Sequence, residues 1–365
     1  MEIESLAEKL RSCVNDTRRP WGNKRHKLED ILVIGFCTII CGGEDFVDME
    51  DFGIERREWL CGFLELPNGI PDSDTFRRVF ERVEPRELAD VLRDWLDLYR
   101  AERDVVSIDG KTIRGSASAR HKACHVVSAF VAQNRITLGE IKVAEKSNEI
   151  TAIPELLDLL DLEGSIVTID AMGCQTRITE KITEKHADYV IGLKANQPAL
   201  HDDAALYFDT FADKCARMQT LDKGHGRVEE RDYFLAVEPD WLSQKADWSS
   251  LNSLGAVRAT IEENGLTRTD TRYFITSLTN IDDFAQAVRE HWGIENQLHW
   301  SLDVIFREDA GRARKDNSPM NLNILRKTAL PLLKAADFGR IGLRKKMFRA
   351  ALSLSSLKYV LTGKK

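Results

Sequence analysis

Two short and almost wholly apolar segments, VVSIDG (105–110) and SIVTIDAMG (165–173), each run into an aspartate. A third segment of the same kind is DYVIGLKANQ (188–197). An apolar run of this length between turn residues is typical of a strand that is buried on both faces, because such a strand has no solvent side. These segments therefore predict an α/β protein whose central sheet is covered by helices on both faces.

The segments between these strands complete the predicted core. HVVSAFVA (125–132) and ITLGEIKVAE (136–145) indicate a hairpin that turns at residues 133–135. Residues 150–162 and 176–186 have the spacing of helices. The predicted order is three antiparallel strands, a helix, a strand, a helix and a strand.

Periodicity divides the chain into five parts. We expect a helical N-terminal domain associated with DNA (1–103), the first part of the core (104–204), a β-rich insertion (205–280), a returning core helix (281–330) and a basic helical C-terminus (331–365). The insertion contains a turn signal at Asn264 and Gly265.

Composition limits the function classes. With 43% apolar and 30% charged residues, the chain has the composition of a soluble globular protein. Its longest apolar run, 31–41, is shorter than the roughly 20 residues that a bilayer span needs, and its charged start does not resemble a secretory signal. Seven scattered cysteines favour reduced thiols over disulfides or zinc. We therefore expect a cytoplasmic protein without a membrane partner.

The charges are segregated along the chain. The net charge of −7 is unusual for a DNA-binding protein. However, residues 311–349 contain eleven Lys or Arg against two Asp, and residues 18–27 contain five cations. Such runs are usually solvated surfaces, but two of them around an acidic middle suggest phosphate contacts at both ends.

Asp109 and Asp170 close two of the buried strands. A single aspartate in this position usually caps a turn, but two on neighbouring strands would meet at the carboxyl edge of the sheet, where ligands bind in open α/β folds. Converging carboxylates repel each other unless they bind a cation or share a proton. Oxygen ligands of this kind suit Mg²⁺ or Mn²⁺.

A third carboxylate is offered by HWGIENQLHWSLDVIFRED (291–309), whose apolar residues recur at helical spacing. Glu295 lies four residues from both His291 and His299, so we expect all three on one helix face. A plain solvated stripe is the alternative. A zinc hydrolase is a weaker one, since two histidines eight residues apart are separated by about 12 Å along a helix and cannot share one ion.

The chain resembles the DDE transposases of bacterial insertion sequences, in particular the H-repeat-associated proteins of Rhs elements. The phrases that carry the resemblance occur in the family's order: SIDGKTIRGS, KSNEI, TIDAMGCQ, YVIGLKANQ, GHGRVEER and HWGIENQLHWSLDVIFRED. The resemblance extends into the helical front through GIPDSDTFRRVF, and so covers nearly the whole chain.

By this resemblance the protein has an RNase H-like core, and Asp109, Asp170 and Glu295 form a catalytic triad that holds two Mg²⁺ or Mn²⁺ ions. The implied reaction cuts double-stranded DNA at element ends and joins the freed 3′-hydroxyls to target DNA, without a covalent enzyme intermediate. A dimer on DNA, associated with the bacterial nucleoid, is implied as well. The alternative from a different class is a relic that still binds DNA and no longer cuts it.

One departure affects the expected DNA contacts. Related families surround the glutamate with a Tyr, an Arg and a downstream Lys, whereas this chain has Val288, His291 and Leu302 there. The lysine near the cleavage point is therefore not identified. Candidate DNA contacts are the following cations: Lys111, Arg114, Lys194, Arg227, Arg231, Arg289, Arg312, Arg314 and Lys315.

Two motifs in the insertion have open roles. GHGRVEER (224–231) indicates either a turn with Gly224 and Gly226 at positive φ or a phosphate contact through its arginines. Trp241 and Trp248 either pack in the core or stack on a displaced base.

Overall fold

The structure is a computed structural model that describes residues 3–18, 24–96, 104–118, 122–144, 147–224 and 227–363. Parts of two predicted features lie outside the described residues: positions 19–23 of the first basic cluster and positions 225–226 of GHGRVEER. Among the described residues, no helix is both long enough and apolar enough to cross a membrane.

Within the described ranges, thirteen α-helices and nine strands follow one another. The first group of helices is α1 (Ile3–Cys13), α2 (Leu28–Ile40), α3 (Phe46–Glu55), α4 (Arg57–Leu60), α5 (Ser73–Phe80) and α6 (Pro85–Leu96). The middle of the chain forms β1 (Val105–Ile113), β2 (Cys124–Val131), β3 (Ile136–Lys142), α7 (Glu149–Leu159), β4 (Ile166–Ile169), α8 (Thr176–Glu184), β5 (Asp188–Leu193) and α9 (Pro198–Phe211). It is followed by β6 (Ala216–Gly224), β7 (Arg227–Val237), β8 (Ser253–Glu263), β9 (Leu266–Thr276), α10 (Ile281–Gly293), α11 (Ser318–Ala335), α12 (Leu343–Leu352) and α13 (Leu354–Thr362).

The described strands form one mixed sheet in the order β3-β2-β1-β4-β5-β9-β8-β7-β6. Strand β1 is parallel to β4, and β4 is parallel to β5, whereas β2 pairs antiparallel with β1, and β3 pairs antiparallel with β2. Apolar side chains fill the space on both sheet faces, and helices cover them. The predicted α/β class is therefore confirmed.

The predicted β-rich insertion belongs to this same sheet. Strand β9 pairs antiparallel with β5, so β6 to β9 extend the core sheet and do not start a separate one. The predicted boundary at residue 205 falls inside α9, because the helix runs on to Phe211. The turn signal was correct: Asn264 and Gly265 both have positive φ, at 53° and 75°, between β8 and β9.

The N-terminal and C-terminal helices share one hydrophobic core. All thirteen residues of α2 are buried, because α1, α3, α5, α11 and α12 pack around it. This all-round packing explains the continuous apolar run at 31–41, which lacks a polar face. The described parts of the two chain ends, which were predicted as the separate regions 1–103 and 331–365, therefore form one helical layer against the sheet.

Part of the basic C-terminal run is internal. Arg326 pairs with buried Glu308, and Lys346 donates to three backbone carbonyls at the end of α11. Lys327 donates to Ser128 Oγ at 2.8 Å and forms an ion pair with Glu140, whose side chain is only 5% exposed. These cations hold the helical layer together, so only the remaining exposed ones are available to phosphates.

We predict that Lys327→Met strongly destabilises the protein. The change leaves the Glu140 carboxylate buried without its cation, at an expected cost of about 3–5 kcal/mol. The urea midpoint of unfolding, followed by circular dichroism, measures the effect. Lys334→Met, at an exposed position of the same helix, is the matched control and should change the midpoint little. If Lys327→Met matched this control, the pair would not hold α11 to the sheet.

Candidate active site

Asp109 and Asp170 lie side by side at the carboxyl edge of the parallel strands. Ile108 of β1 is level with Ile169 of β4, and the two aspartates are the next residues along. Adjacent strands are about 4.8 Å apart, so the two backbones hold these carboxylates close together. Asp170 also accepts a hydrogen bond from Met172 N at 3.0 Å and so caps the following turn. Asp170 can therefore cap this turn and still lie at the sheet edge beside Asp109.

The segment that carries Glu295 is a continuation of α10, but its form changes. Residues 294–299 and 301–305 are π-helical, and Leu298 and Leu302 anchor them in the core. π-Helical turns are rare and are common at functional sites, because the extra residue per turn redirects side chains. Glu295 is exposed on this segment.

The predicted helix face of His291, Glu295 and His299 lies toward the sheet edge, although this segment is partly π-helical: His291 and Glu295 line one cavity there. The ring of His291 is turned into the sheet, where its Nδ1 lies 2.9 Å from Thr168 Oγ1. His299 Nδ1 lies 3.7 Å from Asp109 Oδ2. Burial lowers the pKa of His291 to about 4 and that of His299 to about 3, so both rings are neutral at pH 7.

Asp109 is the electrostatic centre of the site. Burial, and after it the negative charges of Asp170, Glu149 and Glu295, raise its pKa to about 7, against a lowering hydrogen bond from Gly110 N. Among the described residues, no lysine or arginine forms an ion pair with Asp109. Four carboxylates therefore act on one another here without a compensating cation from the protein.

Glu149 was missed at the level of sequence. It begins α7 within the phrase KSNEI, and its Oε1 lies 2.7 Å from His125 Nε2, while Thr112 Oγ1 holds the other ring nitrogen at 2.8 Å. A Cβ atom on Gly110 would lie 2.1 Å from Glu149 Oε1, so a larger residue after Asp109 would displace the Glu149 carboxylate. The available signal was the acidic residue in KSNEI, but nothing local indicates that it reaches β1.

A cavity of about 480 Å³ opens at this sheet edge. Asp170 and Glu295 both line it, together with exposed Lys194 and the Arg272 side chain, which lies over the Trp292 ring with 4.7 Å between its Cζ and the ring centroid. The cavity therefore combines acidic groups near Asp109 with two cations at its wall. This suits a substrate that brings phosphate groups to the carboxylates.

Lys111 is not placed for the predicted DNA contact. Its ammonium group is nearly buried, 2.7 Å from Asp303, 3.3 Å from Glu308 and 3.7 Å from Asp309. Glu308 lies in the same segment as Glu295 and could be considered as a third carboxylate beside Asp109 and Asp170. However, its side chain is fully buried and also bound by Arg326. The cluster is structural: it fastens β1 to the helical layer and neutralises these acids.

The other predicted DNA contacts lie on the surface in different settings. Arg227, Arg231 and Arg289 are paired with acidic residues of the extended sheet, and Lys315 is paired with Glu81. The cations with more exposed side chains are Arg114, Lys194, Arg312 and Arg314. Gly224 does not have the predicted positive φ, so Arg227 simply begins a strand.

The two tryptophans of the extended sheet have different surroundings. Trp248 is buried in the core beneath the sheet, as the core-packing alternative expected. Trp241 is 46% exposed and stacks on Tyr207 with 4.7 Å between ring centroids. Trp248 is thus not accessible to a DNA base.

The donor set fits Mg²⁺ or Mn²⁺ in chemistry. Asp109 and the three acidic groups that act on it offer oxygen atoms, which these ions prefer, and their mutual repulsion would be relieved by a cation. Within the described ranges, however, no three acidic, His or Cys side chains are close enough to form a metal centre as they stand. The two histidines also serve separate partners, which argues against a zinc site.

A mixed sheet with acidic residues at one edge is a common scaffold for phosphoryl-transfer enzymes, and comparison with known proteins identifies the family. Residues 100–332 match the family described as Transposase DDE domain, and residues 10–96 match the family described as DDE_Tnp_1-associated. The first match covers more than half of the chain. The chain therefore belongs to the DDE transposase family, and the predicted family is confirmed.

Two relatives of similar length and one shorter relative have names that refer to transposases. The chain is 38% identical over 375 residues to the protein named "Putative transposase YncI" of Escherichia coli O157:H7, covering 100% of this chain and 96% of the relative. It is 37% identical over 383 residues to the "H repeat-associated putative transposase YhhI" of Escherichia coli K12, covering 100% and 99%. A shorter match, 40% identical over 79 residues, is to the "Inactive transposase YbfQ" of the same strain, covering 22% and 92%.

We predict that the metal-free protein loses stability as the pH rises from about 4 to 7. In this range folded Asp109, with its pKa near 7, keeps a proton that the unfolded chain, with a pKa near 3.9, releases. The contribution is at most about 4 kcal/mol, and it levels off above pH 7. Unfolding free energies at pH 5 and pH 8 measure it.

Asp109→Asn should remove this part of the pH dependence, since an amide does not titrate. Asp202→Asn, on a side chain that is 82% exposed, is the control and should keep it. An unchanged slope in Asp109→Asn would show that Asp109 titrates normally.

Proposed function

We propose that the protein is an active DNA transposase that cuts at the ends of its element and joins the freed 3′-hydroxyls to target DNA. The observation that supports this best is the placement of three carboxylates: Asp109 and Asp170 level on adjacent strands, and Glu295 on the wall of the same cavity. Their charges act on one another strongly enough to raise the pKa of Asp109. Such a set suits two-metal phosphoryl transfer.

The fold supports an RNase H-like core. Strands β3, β2 and β1 are antiparallel neighbours, and β1, β4 and β5 are parallel, in the order β3-β2-β1-β4-β5. This is the predicted layout of three antiparallel strands followed by alternating helices and strands. Strands β6 to β9 are then an extension of that core, inserted before the segment with Glu295.

In the proposed mechanism Asp109, Asp170 and Glu295 hold the divalent ions. When bound, such ions polarise the attacking oxygen and stabilise charge on the leaving oxygen. Asp109 is central because both other carboxylates act on it. Neutral His299 borders Asp109 without adding a competing positive charge, and His291, also neutral, is positioned by its contact with Thr168 Oγ1. Lys194 and Arg272 line the cavity and would contact DNA phosphates.

We further propose double-stranded DNA as the partner and a dimer as the working form, because two element ends must be joined in one reaction. The relic that binds DNA without cutting remains the second candidate. It is favoured by Val288 and Leu302, which are buried where related families have a tyrosine and a lysine.

A cleavage assay tests the proposal. Linear DNA with the sequences that flank this gene is incubated with the protein and Mg²⁺ or Mn²⁺, and strand breaks are mapped. We expect breaks at the element ends, and Asp109→Asn, Asp170→Asn or Glu295→Gln should lower the rate by about 100-fold or more, since loss of even an outer partner of a metal site costs about 10–100-fold.

Asp282→Asn, on an exposed residue in the first turn of α10, is the control and should cut normally. End binding without cuts in either metal would favour the relic. Cutting that survives Glu295→Gln would mean that another carboxylate is the third ligand, and Glu149, which acts on Asp109, would be tested next.

A further inference from the structure

A second cavity, of about 530 Å³, lies beside the carboxylates and contains no member of the proposed triad. Its lining includes Met172, from the turn that Asp170 caps, and Glu149, which lies against Gly110 next to Asp109. The linings of the two cavities thus adjoin each other along residues 170–172, beside the carboxylates. A DNA strand whose phosphate lies on the carboxylates could continue into either cavity.

The second cavity is basic where the first is acidic. Four cations line it, Lys122, Lys142, Arg314 and Lys315, against two carboxylates, Glu149 and Asp316. In the described part of the chain, neither Lys122 nor Lys142 forms an ion pair, and both are exposed. Unpaired cations inside a concave surface favour a polyanion, because each contact displaces counterions from it.

The loop at residues 311–317, which carries Arg314 and Lys315 at one side of this cavity, is held in a fixed position. Arg314 Nε donates to Gly115 O at 3.1 Å, which leaves the remaining guanidinium nitrogens for a ligand. Gly311 O approaches so closely that a Cβ on Gly115 would lie 2.1 Å from it. In the same place, where the segment of Gly115 meets that of Gly311, Arg114 N donates to Asp309 Oδ1 at 2.9 Å. A fixed cation costs less entropy to engage than one on a free loop.

We propose that this cavity binds the phosphate backbone of DNA next to the phosphate being cut, with Lys122 and Lys142 as phosphate contacts and Arg314 as a third. The inference rests on the proposed transposase function. It adds the path of the DNA, which runs from the carboxylates at the cut phosphate into the basic cavity.

The test is a binding measurement with the double variant Lys122→Gln/Lys142→Gln and duplex DNA carrying the element end, with Ca²⁺ to support binding. Removing two phosphate contacts should weaken binding and lower the slope of log K against log salt by about 1.8, at about 0.9 per phosphate. Lys214→Gln, an exposed lysine that lines neither cavity, is the matched control and should keep the native slope.

Neutral methylphosphonate linkages then locate the contact. Placed one at a time around the cut position, a linkage at the contacted phosphate should weaken binding by the native protein and have little further effect on the double variant. Equal losses in both proteins at every position, or a native salt slope in the double variant, would overturn the proposal.

The cleavage assay separates this inference from the function on which it rests. If the native protein cuts the ends and the double variant binds like the native one, only the basic cavity is misassigned. If the native protein binds the ends through Lys122 and Lys142 but never cuts, the transposase activity fails and the binding site stands.

Discussion

A partly buried carboxylate among other carboxylates is the constraint on which this molecule depends. Asp109 lies on β1 at the carboxyl edge of the parallel strands, where its charge is disfavoured by burial and by three acidic neighbours. Lys111, the nearest lysine along the chain, does not neutralise the charge of Asp109, because it is turned toward three other acids. These are Asp303, Glu308 and Asp309. The two histidines at the site are neutral. The fold thus keeps protein cations away from Asp109 and leaves its charge to be compensated from outside.

Much of the core could be predicted because its information is local. Apolar runs that end in aspartate define buried strands, and strand order then places Asp109 and Asp170 level with each other. The family follows from phrases spread along the chain and is confirmed by the family match. The triad stays a prediction that the geometry supports.

What could not be predicted depends on contacts between distant residues. Glu149 approaches β1 only because α7 packs over the sheet, and no local pattern encodes that approach. The π-helical turns around Glu295 have the same residue pattern as an α-helix, so the sequence could not show that His291 contacts Thr168 or that His299 lies near Asp109. Likewise, counting charges along residues 311–349 could not show that Arg326, Lys327 and Lys346 are buried.

The helical layer has a consequence for how the chain is made. Helix α2 is synthesised early, yet its buried faces are completed by α11 and α12, about three hundred residues later. Until then its thirteen apolar-rich residues have no finished core, and they are exposed to aggregation or to chaperones. A gene copy that loses its 3′ end would therefore not leave behind a folded N-terminal fragment. Decay of such an element would silence the whole protein at once, including any DNA-binding function at its front.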